Sequence, residues 1–573
     1  MRQLTPPEIE AVGRLGTTAD DWSKVRVAED FRPAQLRQSR LCGVVELGSG
    51  AVIIGSAVAD YRIGARTRIE GCTAVQCRRH SAFGNGVAVA TINANGGRTL
   101  RICEATSAQT AYLAAVWRHR PQLAEALDTL ARRIADDRAD TVGTIGADCR
   151  ITGARFIREV RIGDRVTIDG ASLLENGTLC NDSRIGIDVK ATDFIVAEGA
   201  RVAGGTTLER CFVGESCILD KNFTATDSLF FANSHCENGE AAAIFAGPYT
   251  VSHHKASLLI AGIFSFFNAG SASNQSNHLF KSGAVHQAAH LRGCKFASGA
   301  YIMAPAVEGP FTMVMGHHVH HHDTSEFPYA YLLEKEGRSY LLPALNLTSC
   351  GTVRDIEKWP ARDRRTVGRD AIRFEEHNPC LTGLMIRAVN VLHQLQEERP
   401  EAESYPYKGV IIRSSALQRG LKLYNRAIVA SLGAMLERGS ADEACDGSGR
   451  WIDLAGLYIP KAEADRIADR IERGELTSLQ EIDAAFRRFA ERYDDYARDW
   501  AVQAYAALLG HAPTADEIRE AVEAGANARA AMRRTTDADR ERDNAPDMAV
   551  GYGLDCDTEA ERQRDFCNVR GLA

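Results

Sequence analysis

Residues 145–169 read IGADCRITGARFIREVRIGDRVTID. Two aliphatic pairs stand six positions apart, Ile145-Gly146 with Ile151-Thr152, and the beat returns at Ile162-Gly163 with Ile168-Asp169. Ile63-Gly64 and Ile69-Glu70 keep the same spacing, with small Thr67 and Thr73 at the fifth place of each unit. Val202-Ala203, Leu208-Glu209 and Val213-Gly214 continue it less regularly. An aliphatic residue every six positions fits a triangular coil, with the aliphatic pointing inward and small residues making each corner. Three units give a coil of about 18 residues, and stacked coils pair their strands in parallel. The expected fold is mainly β, a parallel β-helix.

Around this core the chain divides into three. Residues 1–40 open with a helix signature, Thr5 and Glu8 spaced as a capping box, prolines in the first turn, and Ile9, Val12 and Leu15 on one face. Such a helix covers the open end of a solenoid. Residues 41–365 form the β-helix, interrupted at about 107–139 by a helical pattern through Tyr112, Val116, Leu123, Leu127, Leu130 and Ile134. Residues 366–573 are expected to be α-helical, with amphipathic runs at 462–471 and 482–505.

Composition narrows the class. The chain has 573 residues, 45% hydrophobic and 25% charged, as expected of a globular protein with a sizeable core. A formal net charge of -7 offers no global attraction to nucleic acid or anionic lipid. The start, MRQLTPPEIE, lacks the apolar run of a secretory signal, and no uninterrupted stretch of about 18 apolar residues suggests a membrane span. Fifteen cysteines contain no Cys-x-x-Cys pair, and Cys72, Cys149 and Cys217 occupy small-residue slots of the repeats. A cytoplasmic location with reduced thiols is the expectation.

The chemistry gathers between His253 and His322, which hold ten of the chain's 16 histidines. His253, His254, Lys255, Asn274, Gln275, Asn277, His278, Lys281, His286, Gln287, His290, Arg292 and Lys295 follow one another with few acidic neighbours. Imidazoles, amides and cations in that mixture suit an anionic or hydroxyl-rich small molecule. In one reading, His286 or His278 is the general base, with His254 and Lys255 in the catalytic set. Lys255, Lys281 and Arg292 neutralise charge, and His253, Asn274, Gln275, Asn277, Gln287 and Lys295 hold the substrate. In a second, His318, His321 and Asp323 converge with His286 on a divalent transition metal whose open position activates water. In a third, the protein is a non-catalytic scaffold whose helical last third recruits a partner. Asn93 to Arg98 is a turn with phosphate-cradling potential, although it lacks nucleotide-loop spacing.

At these residues the sequence resembles an uncharacterised bacterial family, a domain of unknown function. Its members carry a left-handed β-helix of the hexapeptide-transferase superfamily. The resemblance spans nearly the whole chain. It rests on Leu4-Thr5 with Asp21-Trp22, the stretches 60–64, 83–86, 227–233 and 244–251, and most specifically on His253-His254-Lys255, residues 273–278, His286-Gln287 and Asp323-Thr324-Ser325. Lys358-Trp359-Pro360, Asp565-Phe566 and Val569-Arg570-Gly571 extend it. The sequence departs from the family pattern at 288–291 and 298–303. The resemblance implies left-handedness, against the usual right-handed crossover. It also implies a homotrimer and, from the wider superfamily, acyl or nucleotidyl transfer or carbonic-anhydrase-like metal chemistry. The resulting expectation is a homotrimeric enzyme transferring a group, from an acyl donor, to a polar carbohydrate-like or phosphorylated small molecule.

Overall fold

A computed structural model describes residues 1–93, 96–276, 287–439 and 445–572. The aliphatic beat is a β-solenoid with three faces. On the first face Arg150–Thr152 pairs in parallel with Thr167–Asp169, and these pairings continue one coil at a time to Tyr331–Lys335. The second and third faces are the two halves of seven-residue strands such as Phe156–Ile162, which pairs with Leu173–Leu179.

The coils between Ile145 and Phe230 are each 17 residues long, since Ile151 pairs with Ile168 and Ile157 with Leu174, one fewer than the repeat count predicts. The inward residues run Ile145, Ile151, Ile157, Ile162, Ile168, Leu174, Leu179, so the steps are six, six and then five. The short step is a corner turned by a single residue with positive φ: Glu159 at 49°, Asn176 at 50°, Asp193 at 56°, Arg210 at 50° and Asp227 at 49°. Left-handed backbone is costly for residues other than glycine, and polar side chains ease it by bonding locally. Here they bond along the stack: Asn176 Nδ2 donates to Asp193 Oδ1 at 2.6 Å, and Arg210 grips both Asp227 oxygens at 2.9 and 2.8 Å.

The Ile-Gly pairs have a different cause. A Cβ on Gly64 would stand 2.4 Å from the carbonyl carbon of Gly146, and one on Gly146 would stand 2.5 Å from that of Gly163. These corners stack so closely that only glycine fits. Cys72, Cys149 and Cys217 are buried beside them as free thiols.

At the amino-terminal end the helix Pro6–Arg14 buries Val12, and its start is fixed by Glu8, which accepts from the Thr5 amide at 2.8 Å and hydroxyl at 2.9 Å. The chain leaves the solenoid after Gln76 and rejoins it at Gly143. This excursion begins before its helical pattern does. An antiparallel pair, Ala88–Ala90 with Thr99–Arg101, precedes the helices Ala108–Val116 and Pro121–Arg138, and strands of three residues are too short to register as periodicity. Past Met315 the coil closes with the antiparallel pair Tyr331–Lys335 and Arg338–Leu342. Helices then dominate, from Cys350–Ala361 and Pro379–Glu398 through Ser414–Glu437 to Ala515–Glu541. Among the described residues no helix is long and apolar enough to cross a membrane.

Buried carboxylates fasten the helical region to the coil. Asp370 accepts from the amides of Ala108, in the insertion, and Ala232, in the coil, at 2.8 and 3.0 Å. Glu215, 2% exposed, takes the backbone amides of Thr366 and Val367 on one oxygen and those of Gly368 and Arg369 on the other. We expect Glu215→Ala to cost about 2 kcal/mol, because a charge-assisted set is lost and its donors are orphaned. Limited proteolysis should then cut the 362–378 segment faster than in wild type; an unchanged cutting rate would show that Glu215 does not anchor it.

Candidate functional site

Following the inward positions up the stack locates a change of chemistry. On the third face they read Ile162, Leu179, Val196, Val213, Phe230, Ala246 and Phe264, then His290 and Glu308. On the second face aliphatic and small residues from Ile157 to Leu259 give way to Gln275, Ile302 and His318. A coil interior is expected to hold aliphatic side chains. Here Gln275, His290, Glu308 and His318 are each 0% exposed, and His322 is 4% exposed. Much of the imidazole-rich region therefore points into the coil, not out to a ligand.

Glu308 bridges two imidazoles. His290 Nδ1 donates to Glu308 Oε2, and His322 Nε2 donates to Oε1 at 2.7 Å. His322 Nδ1 faces the carbonyl of His320 at 3.1 Å, so both of its nitrogens meet acceptors and the imidazolium form satisfies both. In keeping with this, the carboxylate raises the pKa of His322 against a large opposing effect of burial. The Glu308 carboxyl sits well below its usual range because the two imidazoles outweigh the burial that opposes ionisation. His290 lies among the rings of Phe264, Phe267 and Phe296, and its Nε2 has no partner among the described residues. His318 is different. Its Nε2 donates to the Met315 carbonyl at 3.2 Å, leaving Nδ1 to accept from the Ser339 hydroxyl at 2.8 Å. Burial pushes its pKa down to about 4, so it is neutral.

The outer surface of the same coils forms one wall of a cavity of about 620 Å³. Phe245, Ile263, Ala289 and Leu291 come from the coil, Tyr112 and Val116 from the insertion, and Leu384, Trp451 and Tyr458 from the helical region. Arg98, Arg387 and Arg450 bring guanidinium groups to this apolar lining. Arg98 Nε donates to Gln287 Oε1 at 2.6 Å and its Nη1 to the Ala115 carbonyl at 2.9 Å. The guanidinium groups of Arg387 and Arg450 have no hydrogen-bond or ion-pair partner among the described residues. Two carboxylates share the wall, both engaged. Glu326 accepts from the Tyr407 hydroxyl and from Lys408 at 3.0 Å; Asp453 accepts from the Gly456 amide at 2.7 Å and lies 3.6 Å from Arg292. Cys380 is half-buried, and desolvation pushes its thiol up to about 12, so it is no ready nucleophile.

The residues singled out in the sequence fall in several places. Gln287 and Arg292 line the cavity. Arg292, 3% exposed, is a pin between coil and helical region: it lies 3.8 Å above the Phe266 ring and 4.3 Å from that of Tyr458, and donates to the carbonyls of Gly456 and Arg373. Lys295 is tied to Asp355 of the helix Cys350–Ala361. His253 follows a first-face strand, packed at 4.2 Å against His235, and burial lowers its pKa. His254 and Lys255 are exposed at the corner beyond it, on a different face from the cavity wall. Asn274 is on the second face with a buried Oδ1 that has no partner among the described residues, and Gln275 is inside the coil with neither amide atom partnered among them. Asn277, His278, Lys281 and His286 lie outside the described residues, as do Ala94 and Asn95 of the turn before Arg98.

The proposed metal set is not assembled by its described members. His318 is engaged on both nitrogens inside the coil, His321 is exposed, and Asp323 accepts from the Ser325 amide at 3.0 Å. Among the described residues no three His, Cys, Asp or Glu side chains are placed to hold a metal ion. Arg387 and Arg450 escaped sequence reading, since nothing local marks an arginine, on the helix Pro379–Glu398 or just before the strand Trp451–Leu454, as facing a cavity built by segments far away in the chain. Arg98 carried a weak signal as the end of a Gly-rich turn.

A family model described as a domain of unknown function (DUF4954) matches residues 50–396, and a second one (DUF6819) matches 435–573. An uncharacterized protein of Treponema pallidum (strain Nichols) is 22% identical over 614 residues, covering 90% of this chain and 82% of the relative. The first model covers more than half of the chain, which belongs to the DUF4954 family.

Proposed function

For a chain of this family, we propose group transfer on an anionic small molecule, phosphorylated or carbohydrate-like, bound in the cavity between coil, insertion and helical region. One observation carries this reading: two guanidinium groups without a hydrogen-bond or ion-pair partner among the described residues, Arg387 and Arg450, stand with Arg98 in a cavity whose lining is mostly aromatic and aliphatic and whose two carboxylates, Glu326 and Asp453, are engaged elsewhere. Guanidinium groups match phosphate and carboxylate oxygens in pairs, and apolar walls strengthen that attraction by excluding water. The aromatic surface gives the ligand's less polar part a place to stack.

The finer parts of the proposal rest on the resemblance to hexapeptide transferases. They are a left-handed coil, a homotrimer in the cytoplasm, an acyl donor, and His286 or His278 as the base. Of the alternatives, no observation on the described residues favours the metal-dependent reading.

The test is a thermal-shift screen of sugar phosphates, nucleotides and acyl-coenzyme A compounds, followed by calorimetry on any compound that stabilises the chain. We expect Arg387→Ala and Arg450→Ala each to weaken binding by about tenfold, the value of one hydrogen bond to a charged partner. Dissociation constants unchanged in both variants would remove the ligand from this cavity.

A further inference from the structure

A second cavity, of about 600 Å³, lies against the regular coils. Its floor is the stack of corners at Gly146, Gly163 and Cys180, and its roof is the anchored segment at Val367 and Arg369 together with the helix Leu479–Glu491. Among the described residues its lining contains no aromatic side chain, in contrast to the first cavity.

Its charges come matched. Arg161 Nη1 pairs with Glu104 at 2.6 Å, and Arg369 Nη2 with Glu198 Oε1 at 2.9 Å. Arg487 adds a third cation at the exposed rim and Asp164 a third anion. Asp483, 6% exposed, accepts from the Ser107 hydroxyl at 2.6 Å, and burial pushes its carboxyl up to about 7. An added anion would meet Glu104 and Glu198, and an added cation would meet Arg161 and Arg369, so neither gains much. Yet hydrogen-bonding capacity is left over. Glu198 Oε2 is buried with no partner, and the Arg487 guanidinium has none among the described residues. A buried acceptor without a donor costs about 1–3 kcal/mol, which a hydroxyl group would recover.

We propose that this cavity is a binding site for an uncharged polyol or sugar, whose hydroxyls donate to Glu198 Oε2 and accept from Arg487. Hydroxyl groups do both at once, which a balanced lining of donors and acceptors demands. The site is separate from the anion cavity and stands on different residues.

Saturation-transfer NMR on the full chain with D-glucose, myo-inositol and glucose 6-phosphate tests it. The expected result is saturable binding of an uncharged polyol, weakened about tenfold by Glu198→Gln and by Arg487→Ala, and unaffected by Arg387→Ala. If Glu198→Gln does not fold, Arg487→Ala decides alone, because that side chain is exposed. No saturable uncharged polyol, binding unchanged in Arg487→Ala, or tighter binding of glucose 6-phosphate at this site would each overturn the proposal.

Discussion

Glu308→Ala should destabilise the protein by roughly 3–5 kcal/mol, the usual cost of removing one member of a buried ion pair. The reason is the imidazolium of His322, which would remain in the coil interior with no counter-charge, while the His290 Nδ1 donor loses its acceptor. Glu308→Gln keeps the shape and one carbonyl oxygen, so its loss should be smaller. Replacing the whole set with apolar residues of similar volume, His290→Phe with Glu308→Leu and His322→Phe, should be near neutral or stabilising. Urea unfolding of the three variants separates these cases. A loss below about 1 kcal/mol in Glu308→Ala would mean that water reaches the bridge and that the interior is not sealed.

The second large effect is a pH dependence set by His318. It is neutral inside the coil, with its pKa lowered from 6.5 to about 4, which corresponds to about 3 kcal/mol. A base with a depressed folded-state pKa binds its proton more readily when unfolded. Stability is therefore full above pH 6.5 and falls as the pH drops towards 4. Glu308 acts in the same direction: its depressed pKa gives stability present above its unfolded value and lost as pH falls through the folded one. His322 acts oppositely. Its raised pKa contributes stability below the unfolded value, and that contribution is lost as pH rises through the folded one. His318→Gln can keep a donor to Met315 and an acceptor for Ser339 without titrating. We expect this variant to flatten the acid limb between pH 6.5 and 4 while leaving the alkaline limb alone. An acid limb as steep as in wild type would assign the effect to other groups.

The polar interior also shows where sequence reading stops. The solenoid is legible because two of every three inward steps are six residues long, as in Ile145 to Ile151. The five-residue step, Ile157 to Ile162, is hidden, since a single left-handed corner residue leaves no sequence mark when it is Glu159 in one coil and Arg210 in another. The inward positions of the last coils are hidden for a stronger reason. Leu259 to Phe264 is five residues, whereas Gln275 to His290 is fifteen, so counting fails where the chemistry changes. Polar residues there are naturally assigned to the outside, and only the register of Phe264 with His290 and of His290 with Glu308 reverses that assignment. The cavity is half legible. Gln287 and Arg292 stand out among the polar residues of the coil, but Arg387 and Arg450 reach the same wall through packing between segments far apart in the chain.

That packing gives the insertion and the helical region a physical role. Gln109 of the insertion donates to the carbonyls of Ala371, Leu454 and Ala455 and accepts from the Ala371 amide at 2.9 Å. These contacts hold Tyr112 and Val116 opposite Trp451 and Tyr458 across the first cavity. The coil supplies a rigid wall, and the two helical elements supply the opposite wall and most of the cations.

A crystal structure of the chain with the phosphorylated compound that stabilises it most tests this account directly. The prediction is ligand density in the 620 Å³ cavity, with its phosphate oxygens within hydrogen-bond reach of Arg387 or Arg450. Density instead at the exposed His254-Lys255 corner, with the arginine-lined cavity filled by solvent, would contradict it.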